Sequence, residues 1–165
     1  MAITPTPWHV VRSSSLHGRG VFAATDIPAG TRILNYAGRR LTPEQADERW
    51  PVDPNDPYHT FYFALSSGKV IDGGQRGNDA RWINHSCSPN CEARENAAET
   101  RVAIYALVDI ASGAELTYDY GLFTEERMTR TLKQHYRCLC GTPECRGTML
   151  ALKKPRPRKR PTTAG

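Results

Sequence analysis

The chain has 165 residues, enough for one domain plus a tail, with 22 Lys and Arg against 17 Asp and Glu. Six of those cations lie in the last fifteen residues, 151–165, which hold no acid, so the body carries 16 cations against 17 acids. Its ordinary apolar content excludes wholesale disorder, its near-neutral charge argues against a body with a basic nucleic-acid-binding face, and its longest uncharged apolar run, 102–108, is far below the ~20 residues of a membrane span.

Short apolar segments broken by Gly, Pro and Ser predict strands at Val10-Val11, Val21-Phe22-Ala23 and 33–36, with turns at 13–20 and 28–30. Thr42-Pro43-Glu44-Gln45 predicts a short helix with a capping box and proline at its first position. Three prolines then hold 50–58 as a loop, and 60–65 with 69–72 read as a hairpin around Ser66-Ser67-Gly68. A short helix is expected over 78–84, the best strand over 101–108, and the best helix over 124–135. In that last helix Thr124 would cap, Glu125 and Glu126 would face the positive end, and Met128, Leu132 and Tyr136 would form the buried stripe. The count predicts a mostly β fold with a few short helices. Residues 151–165 are expected to form a disordered basic tail.

The N-terminus MAITPTPWHVVR has neither the basic start nor the apolar stretch of a signal peptide. Five cysteines in such a chain point to an intracellular, reducing compartment, where clustered thiols hold metal more often than they pair. Cys138, Cys140 and Cys145 place three thiols within eight residues, the spacing of a zinc site that lacks one ligand. Cys87, Cys91 and His135 are the candidates for the fourth. Gly18-Arg19-Gly20 matches a dinucleotide fingerprint only by letter, because Thr25-Asp26-Ile27-Pro28 follows where a helix is needed. In the segment 81–91, Arg81, Asn84 and His85 would share a helical face. In 115–121, Tyr118 and Tyr120 are two apart, so on a strand their rings converge.

Taken together, the pieces HGRGVFA, NYAG, the YFAL beginning at Tyr62, RWINHSCSPNC, ELTYDYG and CLCGTPECRG resemble, in order and spacing, the SET-domain protein lysine methyltransferases with a post-SET zinc segment. The resemblance runs from about Trp8 to Leu150. It implies a β-clip-like fold with knot-like threading that lays Asn84-His85 beside 118–120. It implies S-adenosylmethionine as methyl donor, bound by His17, Gly18, Arg19, Gly20, Tyr62, Arg81, Asn84, His85 and Tyr120, with Leu139 and Met149 over the adenine. Tyr120, Tyr62 and Tyr118 would be catalytic, lining the lysine channel. Cys87 would join Cys138, Cys140 and Cys145 on a structural zinc, leaving Cys91 as the odd thiol. The implied division is a catalytic domain over 1–123, a helix and zinc segment over 124–150, and the tail.

The implied activity is methylation of a lysine-containing basic protein, such as a histone or a bacterial histone-like protein. Tyr rather than Phe at position 118 implies chiefly monomethyl product. The tail offers a non-specific contact with DNA, and no membrane partner is implied. The place of action would be intracellular: the cytoplasm if the source is bacterial, or a host nucleus. The insert at 40–59 is short for the family, and Asn35 and Arg39 stand where acids are often found. The competing reading is a zinc-stabilised module that docks on DNA through KKPRPRKR.

Overall fold

The computed structural model describes residues 7–152. Ten strands and two short α-helices follow one another in four small sheets. β1 (His9–Ser13) and β2 (Arg19–Ala23) form an antiparallel pair. β3 (Arg32–Asn35), β9 (Val102–Ala106) and β8 (Cys91–Glu95) form one antiparallel sheet with β9 central. β4 (Arg39–Leu41), β6 (Val70–Asp72) and β5 (Tyr62–Ala64) form another, with β6 central and fully buried. Their inner faces meet on Val21, Ile27, Ile71, Ile83, Ile104 and Leu116, none more than 1% exposed.

The fourth sheet positions the site. β7 (Asn84–His85) and β10 (Thr117–Tyr118) pair in parallel, with Thr117 opposite Asn84 and Tyr118 opposite His85. A parallel pair cannot close through a tight turn. Residues 86–116, which contain the β8–β9 hairpin, make the crossover. Segments far apart in sequence thereby lie side by side, as the resemblance implied.

Local chemistry explains α1 (Pro43–Glu48). Gln45 N donates to Thr42 Oγ1 at 3.2 Å, and Thr42 N donates back to Gln45 Oε1 at 3.0 Å. The hairpin around Gly68 also forms as expected: Gly68 sits at φ 87°, a left-handed turn position that glycine adopts without strain.

Two expectations fail, and two strands come unannounced. The helix over 78–84 is a single 3-10 turn, Asp79–Trp82. Ile83 is extended and 1% exposed, so its burial and the pairing with β10 pull Asn84 and His85 into a strand. The shared helical face of Arg81, Asn84 and His85 therefore does not exist. The helix over 124–135 is only α2 (Arg130–His135). The Thr124 hydroxyl accepts from Glu126 N at 3.1 Å in a local turn of its own, and Thr129 is the cap, accepting from Leu132 N at 3.0 Å. Met128 thus lies outside the helix, and Glu125 and Glu126 miss its start. Finally, β4 and β8 are strands that the sequence did not announce, because their charged residues hide the alternation and partners on β6 and β9 supply the pairing. The basic tail from residue 153 on lies outside the described residues.

Candidate active site

One cleft of about 770 Å³ opens between the β1–β2 turn, the loop before β5, the 3-10 turn, the β7/β10 pair and the C-terminal segment. His17, Gly18, Arg19, Tyr62, Arg81 and Asn84 line it, as do His85, Tyr118, Tyr120, Leu139 and Met149. Gly20 does not. A Cβ there would sit 2.3 Å from Glu115 Oε1, so this glycine is small to admit a carboxylate behind the turn.

That carboxylate is the centre of a bracing network the sequence did not disclose. Backbone bonds from Ala23 N to Ala114 O and from Leu116 N to Val21 O lay 114–116 along β2. Glu115 then accepts from Ser14 Oγ at 2.7 Å and from Asn84 Nδ2 at 2.8 Å. Asn84 Nδ2 also donates to His17 O and Arg19 O, at 3.2 and 3.0 Å. Asn90 secures the other side, donating to Glu115 O at 2.8 Å and accepting from Thr117 N at 2.9 Å. An acid before a strand ordinarily reads as solvent-facing; the only cue was the missing side chain at Gly20.

The floor is aromatic. The Tyr118 and Tyr120 ring centres are 5.0 Å apart, and Phe63 flanks Tyr118 at 6.4 Å. Tyr120 donates its hydroxyl proton to Ile83 O at 2.5 Å, and its backbone N–H donates to His85 Nδ1 at 3.0 Å. Burial, then the charge of Glu115, pushes the Tyr120 hydroxyl far above the ordinary phenol value, so it stays protonated. Burial does the same to Tyr118, assisted by Tyr120 and Tyr36. Burial draws the His85 imidazole down to about 4, with Arg146 acting in the same direction against Asp119, so it is neutral and accepts through Nδ1. The Tyr62 hydroxyl and Arg81 Nε are both buried and have no hydrogen-bond partner among the described residues. Arg81 lies over the Trp82 ring at 4.6 Å and near Phe61 at 5.8 Å, which fixes its guanidinium at the wall.

Beside the cleft the sulfurs of Cys87, Cys138, Cys140 and Cys145 all lie within 4.8 Å of one another. Cys87 Sγ and Cys138 Sγ are 3.7 Å apart, close to the roughly 3.8 Å edge of a tetrahedron with zinc–sulfur bonds of about 2.3 Å. Backbone N–H groups of Cys140, Arg146 and Gly147 point at sulfurs of the set, each at 3.4 Å, as thiolates require. The donor set fits a divalent cation. Cys91 is fully buried elsewhere, and burial pushes its thiol up to about 12. His135, the third candidate ligand, instead stacks on Tyr58 at 4.1 Å. The cluster is tied to the floor by Arg146, which donates to both Asp119 oxygens at 2.7 and 3.0 Å.

The SET domain profile matches residues 18–121. The chain belongs to the SET domain family. Over 137 residues it is 39% identical to an H3 lysine-4 specific histone-lysine N-methyltransferase of Candida albicans, covering 81% of this chain and 13% of that protein. Over 133 residues it is 35% identical to the human histone-lysine N-methyltransferase SETD2, covering 79% of this chain and 5% of that protein. The chain thus spans a small part of the curated relatives it matches. Its fold resembles ctPRC2 in an autoinhibited conformation bound to S-adenosylmethionine, with a TM-score of 0.63 and 27% identity over 71% of this chain and 15% of that one. A humanized mutant of the Chaetomium thermophilum Polycomb Repressive Complex 2 bound to the inhibitor GSK126 gives a TM-score of 0.61 and 29% identity over the same shares. Among the described residues no helix is long and apolar enough to cross a membrane.

Proposed function

We propose that this SET domain transfers a methyl group from S-adenosylmethionine to the side-chain amine of a lysine in a basic protein. The observation that carries the reading is the parallel β7/β10 pair, which sets Asn84 and His85 against Tyr118 and Tyr120 at the base of one cleft. The cleft suits the donor. The unpartnered Arg81 Nε sits where a carboxylate can bind, and Leu139, half exposed at the rim, supplies an apolar cover together with Met149. His17, Gly18 and Arg19 line the wall beside Asn84, whose bonds to the first and last of them hold its shape.

The donor supplies an electrophilic methyl on a sulfonium, and the chain aligns the amine with it. The amine must arrive neutral. Its ordinary pKa of ~10.4 falls beside the sulfonium charge and among apolar walls, and the proton leaves to solvent before transfer. Tyr120 has committed its proton to Ile83 O, so its oxygen offers only lone pairs to the cleft. It accepts an amine N–H and thereby aims the nitrogen lone pair at the methyl carbon. The carbon–nitrogen bond forms as the carbon–sulfur bond breaks, leaving a neutral thioether. Tyr62, with its hydroxyl buried and unpartnered, provides a second polar contact near the reacting groups.

Tyr118 favours monomethyl product, because a hydroxyl beside the amine holds a water where further methyl groups would go. Cys87, Cys138, Cys140 and Cys145 hold one structural zinc that pins the C-terminal segment, and with it Leu139 and Met149, over the donor. The division into 1–123 and 124–150 is supported by the family match ending at residue 121. Histones or bacterial histone-like proteins are the acceptors of choice, reached inside the cell, with the basic tail adding non-specific DNA contact. The test is mass spectrometry of core histones and a bacterial histone-like protein after incubation with enzyme and S-adenosylmethionine. Methyl-lysine dependent on Tyr120 is the expected result; no methylated lysine on any protein would overturn the reading.

A further inference from the structure

A second cavity, of about 390 Å³, lies beside the cleft between the end of α1 with the proline loop and the stretch from Thr124 to Tyr136. Asp47, Trp50, Tyr58, Glu126 and Tyr136 are its chemically distinctive walls. Asp47, Trp50, Tyr58 and Tyr136 also line the main cleft, so the two spaces adjoin. The charged groups of the lining are both acids, and neither carboxylate makes an ion pair or hydrogen bond among the described residues. The rings are held in advance. Tyr58 stacks on His135 at 4.1 Å and meets Tyr136 edge-on at 5.3 Å and Trp50 at 6.3 Å.

We infer that this cavity is a subsite for a second basic side chain of the acceptor, an arginine near the target lysine in its sequence. The inference rests on the methyl-transfer reading. An anionic, aromatic-walled cavity takes a cation with a flat or apolar body: the rings receive the guanidinium face and stem, and the two carboxylates receive its N–H groups. Arginine fits better than lysine, because a planar, weakly hydrated guanidinium stacks and forks while an ammonium keeps its water. Continuity with the main cleft makes the occupant part of the same peptide. None of these five wall residues is among those assigned to the donor or to the reacting amine, so the subsite selects acceptors without touching the chemistry.

The test uses the full chain and roughly nine-residue peptides of Ala, Ser and Gly with a central lysine and one arginine moved through the other positions. Fluorescence anisotropy reads binding, and mass spectrometry reads kcat/KM. The expected result is one scan position favoured about tenfold over the arginine-free peptide in both, with the preference shrinking as salt rises. Glu126→Gln, which lines only the second cavity, should cut that ratio several-fold, and Asp47→Asn with Glu126→Gln should abolish it. A flat scan, or a preference that survives the double substitution, overturns the subsite. If no peptide is methylated while the binding scan still shows the Glu126-dependent preference, the methyl-transfer reading fails and the subsite stands.

Discussion

Replacing Gly20 by alanine tests whether the bracing network shapes the donor wall. The new Cβ would stand 2.3 Å from Glu115 Oε1 and 3.0 Å from Ser14 Cβ, so the carboxylate is roughly 1 Å inside ordinary contact and must swing away. It then loses Ser14 Oγ and Asn84 Nδ2. Hydrogen bonds to a charged group contribute about 1.5–3 kcal/mol each when buried. These are half-buried, so water repairs part of the loss, and ~2 kcal/mol in total is the reasonable scale. At this chain length that lowers Tm by roughly 4–8 °C. Asn84, released on one side, braces His17 O and Arg19 O less firmly, and affinity for S-adenosylmethionine should drop about tenfold. Gly18→Ala is the control: a Cβ there meets nothing within 4 Å, and only the φ of 46° opposes it, at ~1 kcal/mol. Melting curves and calorimetric titrations on Gly20→Ala, Glu115→Ala and the double variant decide the matter. If the clash acts chiefly through Glu115, alanine at 20 costs clearly less once the carboxylate is gone, with only the tight contact to Ser14 Cβ left. Additive losses, or an unchanged melting temperature in Gly20→Ala, would refute the reasoning.

Tyr120→Phe removes the lone pairs offered to the amine but leaves the ring against Tyr118 and His85, so kcat should fall at least about a hundredfold with donor affinity nearly unchanged. A rapid-quench comparison that finds equal turnover would take the hydroxyl out of the mechanism. Tyr118→Phe should raise dimethyl and trimethyl products on a single peptide with little loss of the first transfer, because a displaced water no longer leaves a hydroxyl unpaired at about 1–3 kcal/mol. An identical product ratio by mass spectrometry would contradict that. Cys138→Ser should abolish zinc in the purified protein and weaken donor binding, whereas Cys91→Ser should keep full metal content, since Cys91 is buried away from the cluster. Elemental analysis with equal losses in the two variants would count against the assignment.

Whatever rests on neighbours in sequence was legible from the residues alone. The capping box of α1 lies within four residues, the β5–β6 hairpin turns on Ser66-Ser67-Gly68, and three of the four clustered thiols fall within eight residues. These features are decided by backbone geometry and short-range bonds that any fold would have to accommodate. The order and spacing of the motifs likewise identified the fold before any contact was known, although each motif alone was compatible with an ordinary turn or strand. Spacing could not choose the fourth ligand among Cys87, Cys91 and His135. The tertiary structure brings in Cys87, buries Cys91 and gives His135 to Tyr58. It also overruled local preference where burial competed with it. Ile83 entered the core and drew Asn84-His85 into a strand, while Thr124 and Thr129 each closed a local turn and shortened the expected helix. Glu115 was invisible to sequence reasoning for the same reason: its partner Ser14 is 101 positions away and Asn84 31. An exposed acid and a half-buried brace have the same letter, and only the chain's return along β2 decides which one it becomes.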